Sequence, residues 1–93
     1  AALKEAVDFL GQTGRVDDAI AVMDDALEKN PLNREVLVLK MTTLADLKQA
    51  DAAKREAGYL LALDKMMQAN DETLLEANQR ALAMKIAATG TDQ

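Results

Sequence analysis

A chain of 93 residues has room for one domain or part of one, and burying only about two-thirds of its unfolded surface leaves it a thin core. With 49% hydrophobic residues but 2% aromatic, Ala, Leu and Met must fill the interior, which favours closely approaching helices over a sheet sandwich. The 11 basic and 16 acidic residues give a net charge of -5, whose field repels phosphate and argues against a general nucleic-acid or anionic-membrane binder, whereas a basic or neutral partner is easily accommodated.

Ala1 to Ala6 opens directly in helical pattern without an initiating Met, as expected of a piece or processed form of something longer, and whether a leader was removed stays open. No apolar run approaches the length of a bilayer span, and no basic, apolar, small signal pattern stands at the start. Leu3, Ala6, Val7 and Leu10 then mark a helix with one buried face. Gly11 and Gly14 bracket its end, since glycine serves left-handed helix stops and tight turns.

A second stripe runs Val16, Ala19, Ile20, Met23, Ala26, Leu27, with Asp17 and Asp18 in the first turn and Lys29 in the last, as the helix dipole favours. Asn30-Pro31 closes it, because the residue before proline is pushed out of the helical region. Asn33 is a good N-cap for a third helix carrying Val36, Leu37, Leu39, Met41, Leu44 and Leu47, a face wide enough for neighbours on two sides. A fourth stripe of Ala50, Ala53, Ala57, Leu60 and Leu61 follows after a turn near Lys48, and Lys65 to Gln68 prolongs it. Asn70-Asp71 offers a cap and Glu72 a first-turn acid for a fifth helix with Leu74, Leu75, Ala81, Leu82, Met84, Ile86 and Ala88 apolar, before a frayed tail at 90–93.

Sliding the chain against itself by 34 residues puts Leu3 on Leu37, Val7 on Met41, Leu10 on Leu44, Asp17 on Asp51, Ala19 on Ala53 and Leu27 on Leu61. On that period, with Gly14, Ala19, Ala26 and Pro31 at small-residue and proline positions, residues 1–68 resemble the tetratricopeptide repeat family. The family's usual aromatic and glycine places in the first helix hold Leu3, Val7 and Leu10 here, and Lys48 and Lys65 replace glycine and proline in the second unit. The resemblance implies an all-α fold of five helices, with antiparallel pairs at 1–33 and 34–68 stacked as a short solenoid. A third unit at the same offset fails, since Leu37 and Leu44 would fall on Asp71 and Asn78. Residues 69–89 are therefore expected to form a capping helix with a polar side at Glu76, Asn78, Arg80 and Lys85, followed by a flexible tail at 90–93.

The chemistry a catalyst needs is sparse. Without Ser, His or Cys there is no nucleophilic triad or dyad, thiolate metal site or disulfide, and the Gly11 and Gly14 pair lacks the rest of a phosphate loop. Asp17, Asp24 and Glu28 share a face, but a regular helix has engaged the carbonyls that calcium wants, so a solvated acidic face is expected and no metal or cofactor. Met23 and Met41 fall at core positions of the repeat, and one of Met66 and Met67 is expected to face out.

The resemblance also implies a concave groove lined by the first helix of each pair. It would present Lys4, Asp8, Gly11 and Gln12 from the first unit and Glu35, Val38, Thr42, Ala45 and Asp46 from the second. Some family members clamp a terminal carboxylate with Lys and Asn; Lys4 fits, but Asp8 and Leu39 stand where Asn would be, so no such clamp is expected. The reading is a non-catalytic scaffold that binds a protein or peptide through Lys4, Asp8, Gln12, Glu35, Val38, Thr42 and Asp46. A homo-oligomer built by helix stacking and an accessory domain of a larger enzyme are the alternatives.

Overall fold

The computed structural model describes residues 2–93; Ala1, the first residue of the opening helical pattern, lies outside them. Among the described residues there are five helices and no strand: α1 (Ala2–Gln12), α2 (Val16–Lys29), α3 (Arg34–Asp46), α4 (Ala50–Gln68) and α5 (Ala77–Thr89). α1 packs on α2, α2 on α3, α3 on α4, and α5 on α4 and more lightly on α3. Among the described residues no helix is long and apolar enough to cross a membrane.

The period seen in sequence is present in the backbone. α1 ends at Gln12 and α3 at Asp46, α2 starts at Val16 and α4 at Ala50, each pair 34 residues apart. The turns between them match bond for bond. Gly14 donates to the carbonyl of Gly11 at 3.2 Å and Arg15 to that of Leu10 at 2.8 Å; Lys48 donates to Ala45 at 3.2 Å and Gln49 to Leu44 at 2.9 Å. This double closure satisfies the last carbonyls of a helix and needs one left-handed residue, supplied by Gly14 at φ 79° and by Lys48 at φ 64°. Gly11, by contrast, is still helical.

Elsewhere the local chemistry sets the boundaries. Asn30 is extended at φ -145°, as the residue before Pro31 must be, and the Asn33 side chain accepts the Val36 amide at 3.3 Å to cap α3. No proline stands at Lys65, so α4 runs to 19 residues against 14 in α2.

The core forms two connected clusters. Val7, Ala19, Met23 and Val36 lie in the first; Leu37, Met41, Leu60, Leu75 and Ile86 are among the second, and Ile20 and Leu27 pack against both. α3 joins the clusters because Val36 and Leu37 point to opposite neighbours. Ala19, Ala53, Ala57 and Ala83 are fully buried, so the helices approach closely with few large side chains between them. Met23 and Met41 are fully buried while Phe9 and Tyr59 are exposed, and Met66 faces out beside a half-buried Met67.

The C-terminal third departs from the sequence reading. Leu74 and Leu75 are buried but not helical, and α5 starts only at Ala77, with Asp71 left-handed at φ 59°. The physical cause is Asp64, whose carboxylate accepts both the Leu74 and Leu75 amides at 3.0 Å and holds that segment as a loop. α5 buries Ala83 and Ile86, leaving Ala81, Met84 and Ala88 exposed, and Arg80 turns inward to Asp64 instead of to solvent. Residues 90–93, expected to fray, begin with a buried Gly90 against Ala50, and Lys85 Nζ donates to the Asp92 carbonyl at 3.3 Å.

Candidate functional site

α1, α3 and α5 lie side by side and run in the same direction, with α3 in the middle. Arg34 reaches Glu76 at 4.0 Å where α3 and α5 begin, and Asp46 faces Asp92 where they end. Between α1 and α3 the packing opens into a crevice with two chambers. The larger, a cleft of ≈ 380 Å³, is bounded by Lys4, Glu35, Val38 and Thr42 over a floor of Leu3, Val36 and Leu39. The smaller, of ≈ 230 Å³, is bounded by Asp8, Gln12 and Asp46 over Val7, Gly11 and Leu47.

All seven residues proposed from sequence therefore line this crevice, four in one chamber and three in the other. Ala45 does not: it is buried in the second core cluster. Leu3, Val36 and Leu39 serve both as core and as groove floor, since a thin two-layer stack has no room for a separate floor. Gln79 of α5 closes the larger chamber on its far side. Its side-chain oxygen also accepts the Glu76 amide at 2.9 Å, which fixes its rotamer at the helix start.

Gln79 escaped the sequence reading because α5 is out of step. Aligning Met41 with Ala83 and Leu44 with Ile86 requires an offset of 42 residues, not 34, owing to the longer α4 and the loop after it. Even at that offset Gln79 falls on Leu37, a core position, so the repeat alone does not point to it.

The electrostatics divide the crevice. Lys4 Nζ pairs with Asp8 at 3.0 Å, both side chains well exposed, so among the described residues the one cation on the lining is already matched. In the smaller chamber, partial burial and the facing Asp92 carboxyl push the Asp46 carboxyl above the usual carboxylate range, Asp8 adding to this and Lys48 opposing it. Among the described residues no three acidic side chains converge closely enough to hold a metal ion. Thr42 Oγ1 lies 3.1 Å from the carbonyls of both Val38 and Leu39 and donates within its own helix, which leaves only its lone pairs to the cleft.

On the opposite side of α3, Lys40 Nζ bridges Asp24 of α2 at 2.8 Å and Glu56 of α4 at 3.2 Å. Burial acts to lower its pKa, but the two carboxylates outweigh this and hold it above its usual value. Nothing in the spacing of the acids announces this bridge.

One end of the crevice is apolar and half-buried, and the other carries Asp8 and Asp46. No protein family, no curated relative and no solved structure matches the chain.

Proposed function

We propose that this chain is a non-catalytic, tetratricopeptide-like scaffold that binds a partner protein or peptide in the crevice between α1 and α3. The observation that carries this reading is the cleft over Leu3, Val36 and Leu39, where the partly exposed Leu3 and Leu39 flank a buried Val36 on rigid helices beside polar groups able to orient a ligand. The repeated turns at Gly14 and Lys48 support the family likeness, since they give adjacent pairs the same geometry and place α1 beside α3. The negative net charge favours a basic or neutral partner over nucleic acid.

Selection of a random dodecapeptide display library against the domain tests this. Enriched peptides should lose binding to Val38→Glu and Thr42→Glu, which introduce a charge into the cleft while leaving the helices intact by circular dichroism. Enrichment no greater than on an unrelated helical protein, or peptides indifferent to both substitutions, would overturn it.

A second reading rests on α5, whose outer face exposes Ala77, Ala81, Met84 and Ala88 in one helical stripe. Self-association through that edge predicts a mass that rises with concentration in light scattering and stays monomeric in Met84→Lys.

A further inference from the structure

The two chambers of the crevice differ in chemistry and lie in fixed register, and that register constrains what can occupy both. Resting on the reading of the crevice as a binding groove, we propose that its occupant is an extended segment of a partner chain with an apolar residue and, three to four positions away, a lysine or arginine. The apolar side chain seats over Val38 and Leu39, and the basic one reaches Asp46.

The spacing comes from helix geometry. Val38 and Asp46 both belong to α3, and at 1.5 Å per residue they stand about 12 Å apart along its axis. An extended chain advances about 3.3 Å per residue, so three to four residues bridge the chambers. A helical ligand would need about eight residues for the same span, in a crevice whose larger chamber is only ≈ 380 Å³. The extended form fits that volume better.

The sign comes from charge complementarity. Among the described residues, Lys4 is the only cation on the lining and is tied to Asp8, whereas Glu35 and Asp46 have no ion-pair partner. Lys48 flanks Asp46 from the turn after α3 and Lys85 contacts the Asp92 carbonyl from α5. These cations do not cancel the local field, since Asp46 still holds its proton more tightly than an ordinary aspartate, through partial burial and then the adjacent Asp92 and Asp8. A cation in the smaller chamber beside Asp46 relieves that repulsion, and an acidic ligand adds to it. The carboxylates do not converge as metal ligands, so a side-chain ammonium or guanidinium on a flexible stem suits the site better than a bare ion.

The dodecapeptide selection separates this inference from the reading beneath it. Enriched sequences should carry an apolar residue followed or preceded by Lys or Arg at three or four positions. In fluorescence anisotropy at 50 mM salt, replacing that basic residue by norleucine in the best peptide should weaken binding at least fivefold. On Asp46→Asn the same replacement should cost less than twofold, and 500 mM salt should shrink the wild-type difference likewise. Peptides that depend on Val38 yet show no basic residue at that spacing would overturn the inference and leave the groove standing. Peptides whose basic residue matters equally on Asp46→Asn would also overturn it. Enrichment that ignores Val38 altogether would remove both.

Discussion

Asp64 and Arg80 close an ion pair across two helices: Nε of Arg80 donates to Oδ2 of Asp64 at 2.7 Å, on a carboxylate only 2% exposed. The other oxygen accepts the amides of Leu74 and Leu75. Arg80 also donates to the Leu75 carbonyl at 3.0 Å, so the pair holds both the amide and the carbonyl of that residue. This is how a connection longer than the one between α2 and α3 stays ordered, and it sets where Gln79 meets the crevice.

Removing the carboxylate strands two buried amides and a guanidinium at once. Asp64→Ala should cost about 3–5 kcal/mol, a large part of the stability of a small domain. Arg80→Ala should cost less, because the Arg80 side chain is 31% exposed and the two amides still satisfy the carboxylate. Urea midpoints at constant slope measure both, and equal losses for the two variants would contradict the arrangement.

The same carboxylate sets the acid limit of the fold. Hydrogen bonding to Arg80 holds the Asp64 pKa below its ordinary value despite burial, with the Leu75 and Leu74 amides adding to the effect. A depressed folded pKa contributes stability that is present above the unfolded value near 3.8 and lost as pH falls through the folded one. Asp46 behaves oppositely: its raised pKa favours the fold at low pH, and that contribution is lost as pH rises through the folded value. Asp46→Asn should therefore stabilise the domain at pH 7 by about 0.5 kcal/mol, as for other exposed charges. The gain should vanish below pH 3.8, while wild-type stability falls steeply there. Urea titrations from pH 2.5 to 7 read both trends.

Where sequence and structure agree, a local cause was visible in the residues. Asn30-Pro31 and Asn33 mark the end of α2 and the start of α3 by backbone chemistry alone, whereas the seven crevice residues came from the tetratricopeptide resemblance and not from a local cause. What sequence did not reveal depends on contacts between distant residues. Leu74 and Leu75 have the apolar character of a helix face, and only a carboxylate ten or eleven positions earlier holds them in a loop. Arg80 looks like a surface residue until its partner is known. Gly90 looks like a tail, because the Ala50 it packs against lies far away in the chain.

The turn after α3 should accept glycine gladly. Lys48 occupies at φ 64° the conformation that Gly14 holds at φ 79°, and a Cβ is disfavoured there. Lys48→Gly should stabilise the domain by about 0.5–1 kcal/mol, and Gly14→Ala should destabilise it by about 1 kcal/mol. Nothing lies within 4 Å of a Cβ at Gly14, so that cost is conformational and not steric. Thermal midpoints that move in opposite directions confirm the match between the turns, and a fall in both would refute it.

Gly90 combines the two penalties. Its φ is 75°, and a Cβ there would lie 2.8 Å from the Ala50 Cβ, 3.0 Å from its carbonyl oxygen and 3.1 Å from its Cα. Because two of those neighbours are backbone atoms, the end of α5 must move away from the start of α4 to accept a methyl group. Gly90→Ala should destabilise by about 2–3 kcal/mol, more than Gly14→Ala, since overpacking adds to the conformational cost. Ala50→Gly should rescue only part of this, removing the nearest contact and leaving the carbonyl and Cα in place. A double-mutant cycle by urea unfolding checks the coupling: full rescue would place the clash in the Ala50 side chain alone, and no rescue would mean that the two residues do not touch.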